Sequence, residues 1–179
     1  MTEQMENASG ILLPLSVAEV FERYADMVFR LAFSRTKNRA DADDLLQEVF
    51  LRYTRSPLAF MEEEHRRAWL IRVTVRCSAS LMSSAWTRRT VPLEEAVTSD
   101  DSSPPRDEPR WESDDAGVYE AVMQLPAKYR TVVHLFYYEG YSVGEIAIMC
   151  EMPEATVKTH LYRARERLKK KLEYETSEV

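Results

Sequence analysis

Apolar residues recur at spacings of three and four along most of the chain, the period at which side chains share one face of an α-helix. The pattern predicts helices over about 17–36, 40–53, 65–86, 117–124, 127–138, 142–150 and 154–172. Little in the sequence favours strands, and only 4 glycines are available for the tight turns that hairpins need. The predicted fold class is therefore all-α.

The helical pattern is interrupted between residues 90 and 115, where prolines are frequent among serines and aspartates. Such a composition buries too little apolar surface to fold and is typical of linkers. We therefore predict two small helical domains joined by an acidic flexible linker, the C-terminal domain being a helix-turn-helix. The predicted segments are a flexible tail over 1–15, a first domain over 16–90, the linker over 91–115 and a second domain over 116–175.

Charge is distributed unevenly between these segments. The net charge of −6, taken alone, argues against nucleic-acid binding, because binding depends largely on neutralising phosphates. However, residues 65–93 contain several arginines and no Asp or Glu, and the charged residues of the stretch 156–171 are mostly basic. The stretch 94–115 between them is strongly acidic. Two basic domains separated by an acidic connector therefore predict contact with nucleic acid.

The segment from residue 142 onward has the pattern of a helix-turn-helix, in which a tight turn joins two helices and the second is basic. Ser142 and Glu145 form a capping box, and Pro153 suits the first turn of the second helix. The residues predicted to reach base edges in the major groove are Lys158, Thr159, His160, Tyr162 and Arg163. The alternative is an ordinary helical hairpin with a solvated basic face.

The predicted second helix carries an acidic face with an apolar centre. Helical spacing places Asp44, Gln47, Glu48 and Leu51 opposite the apolar side of this helix. A face that only meets water does not need a leucine, whereas a docking face combines an apolar centre with a polar rim. We predict that this face docks on a partner, and the alternative is a singly exposed leucine.

The predicted third helix carries His65, Trp69, Arg72 and Arg76 on one stripe. Arginines around an aromatic ring suit single-stranded DNA, because the charges follow the phosphates and the ring can stack on a base. In the alternative, Trp69 packs in the core and its arginine neighbours point to water. The arginine stripe favours some contact with nucleic acid in either case.

Three motifs, in this order and spacing, resemble extracytoplasmic-function sigma factors, the group IV members of the sigma-70 family. The stretch 41–50 resembles their region 2.2, and the stretch 68–73 resembles the helix of regions 2.3 and 2.4. Residues 145–147 and 156–165 resemble region 4.2. Three motifs in sequence are far more specific than any one of them.

This resemblance implies a role for each surface. The acidic face of the second helix would dock on the coiled coil of the polymerase β′ subunit. The third helix, with the loop before it, would capture and melt the minus-ten element, and the last helix would read the minus-thirty-five element. The implied partners are core RNA polymerase, through its β′ coiled coil and β flap, promoter DNA and an anti-sigma factor.

The chain departs from the family pattern at three positions. Arg76 stands where many members have asparagine, so the base preference at minus-ten is not carried over. Glu151 and Ala155 replace frequent glycines. A non-glycine residue in a left-handed turn costs roughly 1 kcal/mol, so Glu151 is expected to strain the turn of the helix-turn-helix.

The predicted function is that of a sigma factor that directs promoter recognition, DNA melting and transcription initiation. Because no catalytic triad, phosphate loop or metal cluster is apparent, we expect no enzyme activity, cofactor, metal site or small-molecule substrate. No apolar run suits a membrane span or a signal peptide, so the expected location is cytoplasmic. The alternatives are a stand-alone helix-turn-helix regulator, which would bind its operator unaided, and an adaptor or anti-sigma-like protein, which would bind no promoter.

The acidic linker generates a test from the sequence alone. If the linker folds back and screens the basic helices, the free protein binds DNA weakly, because the carboxylates compete with phosphates. Deleting residues 94–115 should then raise a salt-sensitive affinity for DNA, measured by fluorescence anisotropy over a range of salt concentrations. An affinity that the deletion leaves unchanged would count against the screening role.

Overall fold

The computed structural model describes residues 15–56, 62–89 and 116–177, and no strand occurs in these ranges, as the all-α prediction requires. The helices are α1 Val17–Thr36, α2 Arg39–Arg55, α3 Glu63–Arg89, α4 Ala116–Gln124, α5 Ala127–Val133, α6 Val143–Cys150 and α7 Glu154–Ser177. A π-helical segment, His134–Tyr138, continues α5 where the sequence predicts one uninterrupted helix. Residues 1–14 of the predicted tail and the whole predicted linker lie outside the described residues.

Side-chain caps fix the boundaries of the first two helices. The Ser16 hydroxyl accepts a hydrogen bond from the backbone N–H of Glu19, whose carboxylate accepts one from the backbone N–H of Ser16. Lys37 ends α1 in the left-handed conformation at φ 57°, and Asn38 then caps α2 by accepting from the backbone of Asp41. The predicted turn is thus confirmed, while α2 and α3 both extend a few residues beyond the predicted bounds.

The three N-terminal helices share one apolar core. Its fully buried side chains include Val28 and Leu31 of α1, Val49 of α2, and Leu70 and Ile71 of α3. Because α2 packs on α1 and α3 through one side only, its opposite side is turned outward.

The C-terminal helices form a helix-turn-helix from α6 and α7. Ser142 and Glu145 make the predicted capping box at the start of α6. Glu151 ends α6 in the left-handed conformation at φ 53° and ψ 46°. Val157 and Ala164 of α7 are fully buried against the preceding helices. The helix-turn-helix is therefore confirmed, with a non-glycine residue at its strained turn position.

The N-terminal and C-terminal helices pack against each other, because α1 contacts α5 and α3 contacts α6. At the centre of this contact lies Arg130 of α5, which is only 3% exposed. Its guanidinium donates to the carbonyl oxygens of Ser34 and Arg35 at the end of α1, and to those of Met123 and Leu125 near the end of α4. Burial lowers the pKa of Arg130 to about 10, so the group remains a cation at neutral pH.

A second polar cluster lies between α1 and the π-helical segment. His134 is buried, and its Nε2 lies 3.4 Å from Oε1 of Glu139. The same carboxylate oxygen accepts a hydrogen bond of 3.3 Å from Arg30 of α1. Burial lowers the pKa of the His134 imidazole below its ordinary value, so the folded protein keeps this histidine neutral near pH 7.

We predict that Arg130→Met destabilises the fold, because it leaves buried carbonyl oxygens without donors. The free energy of unfolding should fall by about 3 kcal/mol, since each buried polar group left unpaired costs roughly 1–3 kcal/mol. Chemical denaturation followed by circular dichroism measures the change. The matched control is Arg55→Met at an exposed position, expected to change stability by less than about 0.5 kcal/mol. Equal losses in the two variants would contradict the central role of Arg130.

We also predict that stability falls as the pH is lowered from 7.5 to 5.5. Below a pH of about 6.5 the unfolded chain binds more protons at residue 134 than the folded protein does, so the free energy of unfolding decreases by up to about 1.4 kcal/mol per pH unit. Denaturation at several pH values should show a smaller slope for His134→Gln than for the parent. Identical slopes in the two proteins would refute the assignment.

Candidate polymerase and nucleic-acid interfaces

The predicted docking face, Asp44, Gln47, Glu48 and Leu51, lies on the outward side of α2. Leu51 is 48% exposed, although the residues flanking the face on the inner side of the helix are buried. The Glu48 carboxylate pairs with Arg52 one turn later, at 2.6 Å. An exposed leucine surrounded by carboxylate and amide groups has the composition of a docking surface that prefers a basic partner.

The α3 stripe, His65, Trp69, Arg72 and Arg76, begins near the N-terminus of α3. His65 is exposed, and its Nδ1 lies 3.4 Å from a carboxylate oxygen of Glu62. Trp69 is half-buried and meets Tyr53 of α2 edge to face, with ring centroids 5.8 Å apart. In this arrangement the indole contributes to the packing between α2 and α3.

The two arginines of the α3 stripe contact the turn of the helix-turn-helix. Arg76 donates to both carboxylate oxygens of Glu151, with Nη2–Oε1 2.6 Å and Nε–Oε2 2.9 Å. Nε of Arg72 lies 3.8 Å from the same carboxylate, and Nη2 of Arg72 donates to the carbonyl oxygen of Ile148 at 3.4 Å. The sequence gives no signal for this contact, although Arg76 and Glu151 both depart from the family pattern.

The α7 face, Lys158, Thr159, His160, Tyr162 and Arg163, divides into two groups. Lys158, Thr159 and Tyr162 are exposed, and Tyr162 is among the exposed large apolar side chains at 62%. Lys158 lies 3.8 Å from the Glu154 carboxylate within α7. These three side chains are available to a ligand on the outer side of the helix.

The other two residues of the α7 face lie beside Tyr129 of α5. The His160 ring meets the Tyr129 ring edge to face at 5.3 Å, and its pKa is lowered by burial and by the nearby cations Lys128 and Arg163. A hydrogen bond from Arg163 lowers the pKa of the Tyr129 phenol. Tyr129 was not predicted as a site residue, yet it orients both groups, because a single aromatic residue on α5 gives no sequence signal for a contact with α7.

Within the ranges that the structure describes, no helix is long and apolar enough to cross a membrane. The same ranges hold no group of three or more histidine, cysteine, aspartate or glutamate side chains arranged for a metal ion. The free thiols of Cys77 and Cys150 lie in different helices, and burial raises the pKa of Cys150 to about 11.

Two family models match the chain. The model for Sigma-70 region 2 covers residues 20–88, which include most of α1, all of α2 and most of α3. The model for Sigma-70, region 4 covers residues 116–168, which include the helix-turn-helix. The predicted docking face and the α3 stripe lie in the first match, and the α7 face lies in the second.

Three proteins similar to this chain are sigma factors. The ECF RNA polymerase sigma factor SigM of Mycobacterium tuberculosis is 31% identical over 87% of this chain and 76% of its own length. The ECF sigma factor SigW of Bacillus subtilis is 27% identical over 87% and 88% of the two chains. The solved sigma factor RpoE of Bartonella quintana, bound to the anti-sigma factor NepR, shares the fold at 20% identity with a TM-score of 0.67, over 87% and 96% of the chains.

These matches define the class: the chain belongs to the extracytoplasmic-function sigma factors of the sigma-70 family. Its function is that of a sigma factor, which binds core RNA polymerase and directs promoter recognition and transcription initiation. This result favours the predicted sigma factor over the two alternatives, a stand-alone regulator and an adaptor.

Proposed function

We propose that residues 16–90 bind core polymerase and the minus-ten element, and that residues 116–175 bind the minus-thirty-five element. The observation that supports the binding of core polymerase is the outward face of α2, where Leu51 is 48% exposed among Asp44, Gln47 and Glu48. An exposed apolar side chain inside a polar rim is the expected centre of a protein interface. The β′ coiled coil of the polymerase is the proposed partner of this face.

For the minus-ten element we propose Arg72 and Arg76 as the main contacts of the α3 stripe. Arg76 already hydrogen-bonds a carboxylate in this structure and Arg72 lies 3.8 Å from the same group, so their placement suits an anionic ligand such as a phosphate. Trp69 would stack on a base only if its contact with Tyr53 breaks, since the indole ring is half-buried in that contact. His65, exposed near the start of α3, would lie at the edge of the same contact.

For the minus-thirty-five element we propose that Lys158, Thr159 and Tyr162 meet the DNA directly. Their exposure on the outer side of the second helix of a helix-turn-helix is the supporting observation. Arg163 would contribute from its position beside Tyr129, and His160 would act mainly by packing on that tyrosine. The β flap of the polymerase is the second proposed partner of this domain.

We also propose that an anti-sigma factor regulates this chain. The supporting observation is the likeness in fold to RpoE bound to NepR and to CnrH bound to the cytosolic domain of CnrY, which has a TM-score of 0.59 at 18% identity. Because the polymerase and the chromosome are cytoplasmic in bacteria, we place the protein in the cytoplasm. We propose neither a catalytic activity nor a cofactor for it.

The docking face is tested by the affinity for core RNA polymerase of the parent and of Leu51→Lys. A charged side chain at the centre of an apolar contact should weaken binding at least about tenfold, the loss typical of an important interface residue. Val17→Lys makes the same chemical change at an exposed position of α1 and should bind like the parent. Biolayer interferometry with immobilised core enzyme measures all three.

The outcomes of this experiment separate two conclusions. Equal binding by the parent and by Leu51→Lys would refute the placement of the docking face on α2 but leave the sigma-factor function intact. A parent protein that fails to bind core polymerase would contradict the function itself.

A further inference from the structure

The contact between α3 and the turn after α6 joins residues that are 75 positions apart in the sequence. Both carboxylate oxygens of Glu151 accept hydrogen bonds from the fork of Arg76, at 2.6 Å from Nη2 and 2.9 Å from Nε, and the carboxylate lies 3.8 Å from Arg72. Two parallel N–H···O bonds between a guanidinium and a carboxylate form the most directional ion pair that side chains make. Arg76 and Glu151, which both depart from the family pattern, are therefore partners of each other.

The position of the carboxylate is set by the backbone. Glu151 adopts φ 53°, a conformation that glycine adopts without strain and that a side chain makes less favourable. The turn therefore tolerates a residue that is unfavourable locally but forms a long-range ion pair. A glycine here would relieve the turn and leave both arginines without this anion.

We propose that Glu151, Arg72 and Arg76 form a latch that holds the helix-turn-helix against α3 and withholds both arginines from DNA. The Glu151 carboxylate occupies the guanidinium groups in the way a DNA phosphate would. The latch rests on the proposed role of Arg72 and Arg76 in binding the minus-ten element. It is an internal inhibitor of that contact, and it opens when the two sets of helices separate.

The exposure of the latch makes it reversible. The side chains of Arg76 and Glu151 are 61% and 44% exposed, so water and salt screen their attraction. Arg130 supplies the buried part of the contact between the two sets of helices, whereas the latch lies at its accessible edge. A competing polyanion can therefore reach the arginines once the edge of the contact loosens.

The test compares Glu151→Gln with Glu22→Gln in the full chain. Both substitutions remove one negative charge, but Glu22 is an exposed residue of α1, outside both proposed DNA-binding surfaces. Affinity for a fluorescein-labelled single-stranded oligonucleotide is measured by anisotropy at low salt. Glu151→Gln should raise this affinity about twofold to fivefold, the population shift that loss of an exposed ion pair produces, and Glu22→Gln should leave it nearly unchanged.

Opening is measured separately by fluorescence energy transfer between dyes introduced at positions 55 in α2 and 170 in α7 through unnatural amino acids. Glu151→Gln should shift molecules toward a state with a different transfer efficiency, and Arg76→Gln should cause the same shift by breaking the pair from the other side. Circular dichroism verifies that each variant keeps its helix content. Transfer efficiencies that match the parent in both variants would overturn the latch.

The two readouts separate the latch from the function on which it rests. A gain in DNA affinity that is equal for Glu151→Gln and Glu22→Gln would show that the effect comes from net charge alone, and it would overturn the latch. Opening without any gain in affinity would overturn its inhibitory role. If Arg72→Gln and Arg76→Gln, each combined with Glu151→Gln, fail to weaken oligonucleotide binding while opening persists, the proposed minus-ten role of the arginines is wrong.

Discussion

The arrangement of the helices depends on one buried cation. Arg130 donates hydrogen bonds to carbonyl groups at the C-terminal ends of α1 and α4, which have no partners within their own helices. A buried guanidinium is costly unless all its donors are paired, and a helix C-terminus supplies both hydrogen-bond acceptors and the negative end of a dipole. Because α1 belongs to the N-terminal helices and α5 to the C-terminal ones, this interaction fixes how the two sets meet. The contact between α3 and α6 follows from the placement of α5 on α1.

The helix caps also help to position the functional surfaces. The capping boxes at Ser16 and Ser142 set the first residues of α1 and α6, and the left-handed residues Lys37 and Glu151 set their last. Each cap therefore determines which side chains face the next helix. At Lys37 the result is a tight α1–α2 corner that turns the acidic face of α2 outward, and at Glu151 it is a carboxylate directed at α3.

Local patterns were sufficient to predict most of this structure. Apolar spacing and the capping residues gave the helices, the helix-turn-helix and the outward position of Leu51, because each depends on residues within one or two helical turns. The features that were missed depend on distant partners: the contact of His160 with Tyr129 and the pairing of Arg76 with Glu151. The π-helical segment after α5 also escaped prediction, because its apolar residues continue the spacing of an ordinary helix.

The outward face of α2 and the proposed latch on α3 together have a consequence for the order of assembly. A bacterial chromosome offers an enormous excess of non-specific sites, about 10⁶–10⁹ in typical genomes, to any protein with accessible cations. A latch that weakens the contacts of Arg72 and Arg76 with DNA lowers the fraction of free chain held at those sites, while the open face of α2 stays available to the polymerase. The promoter search then falls mainly to the assembled enzyme.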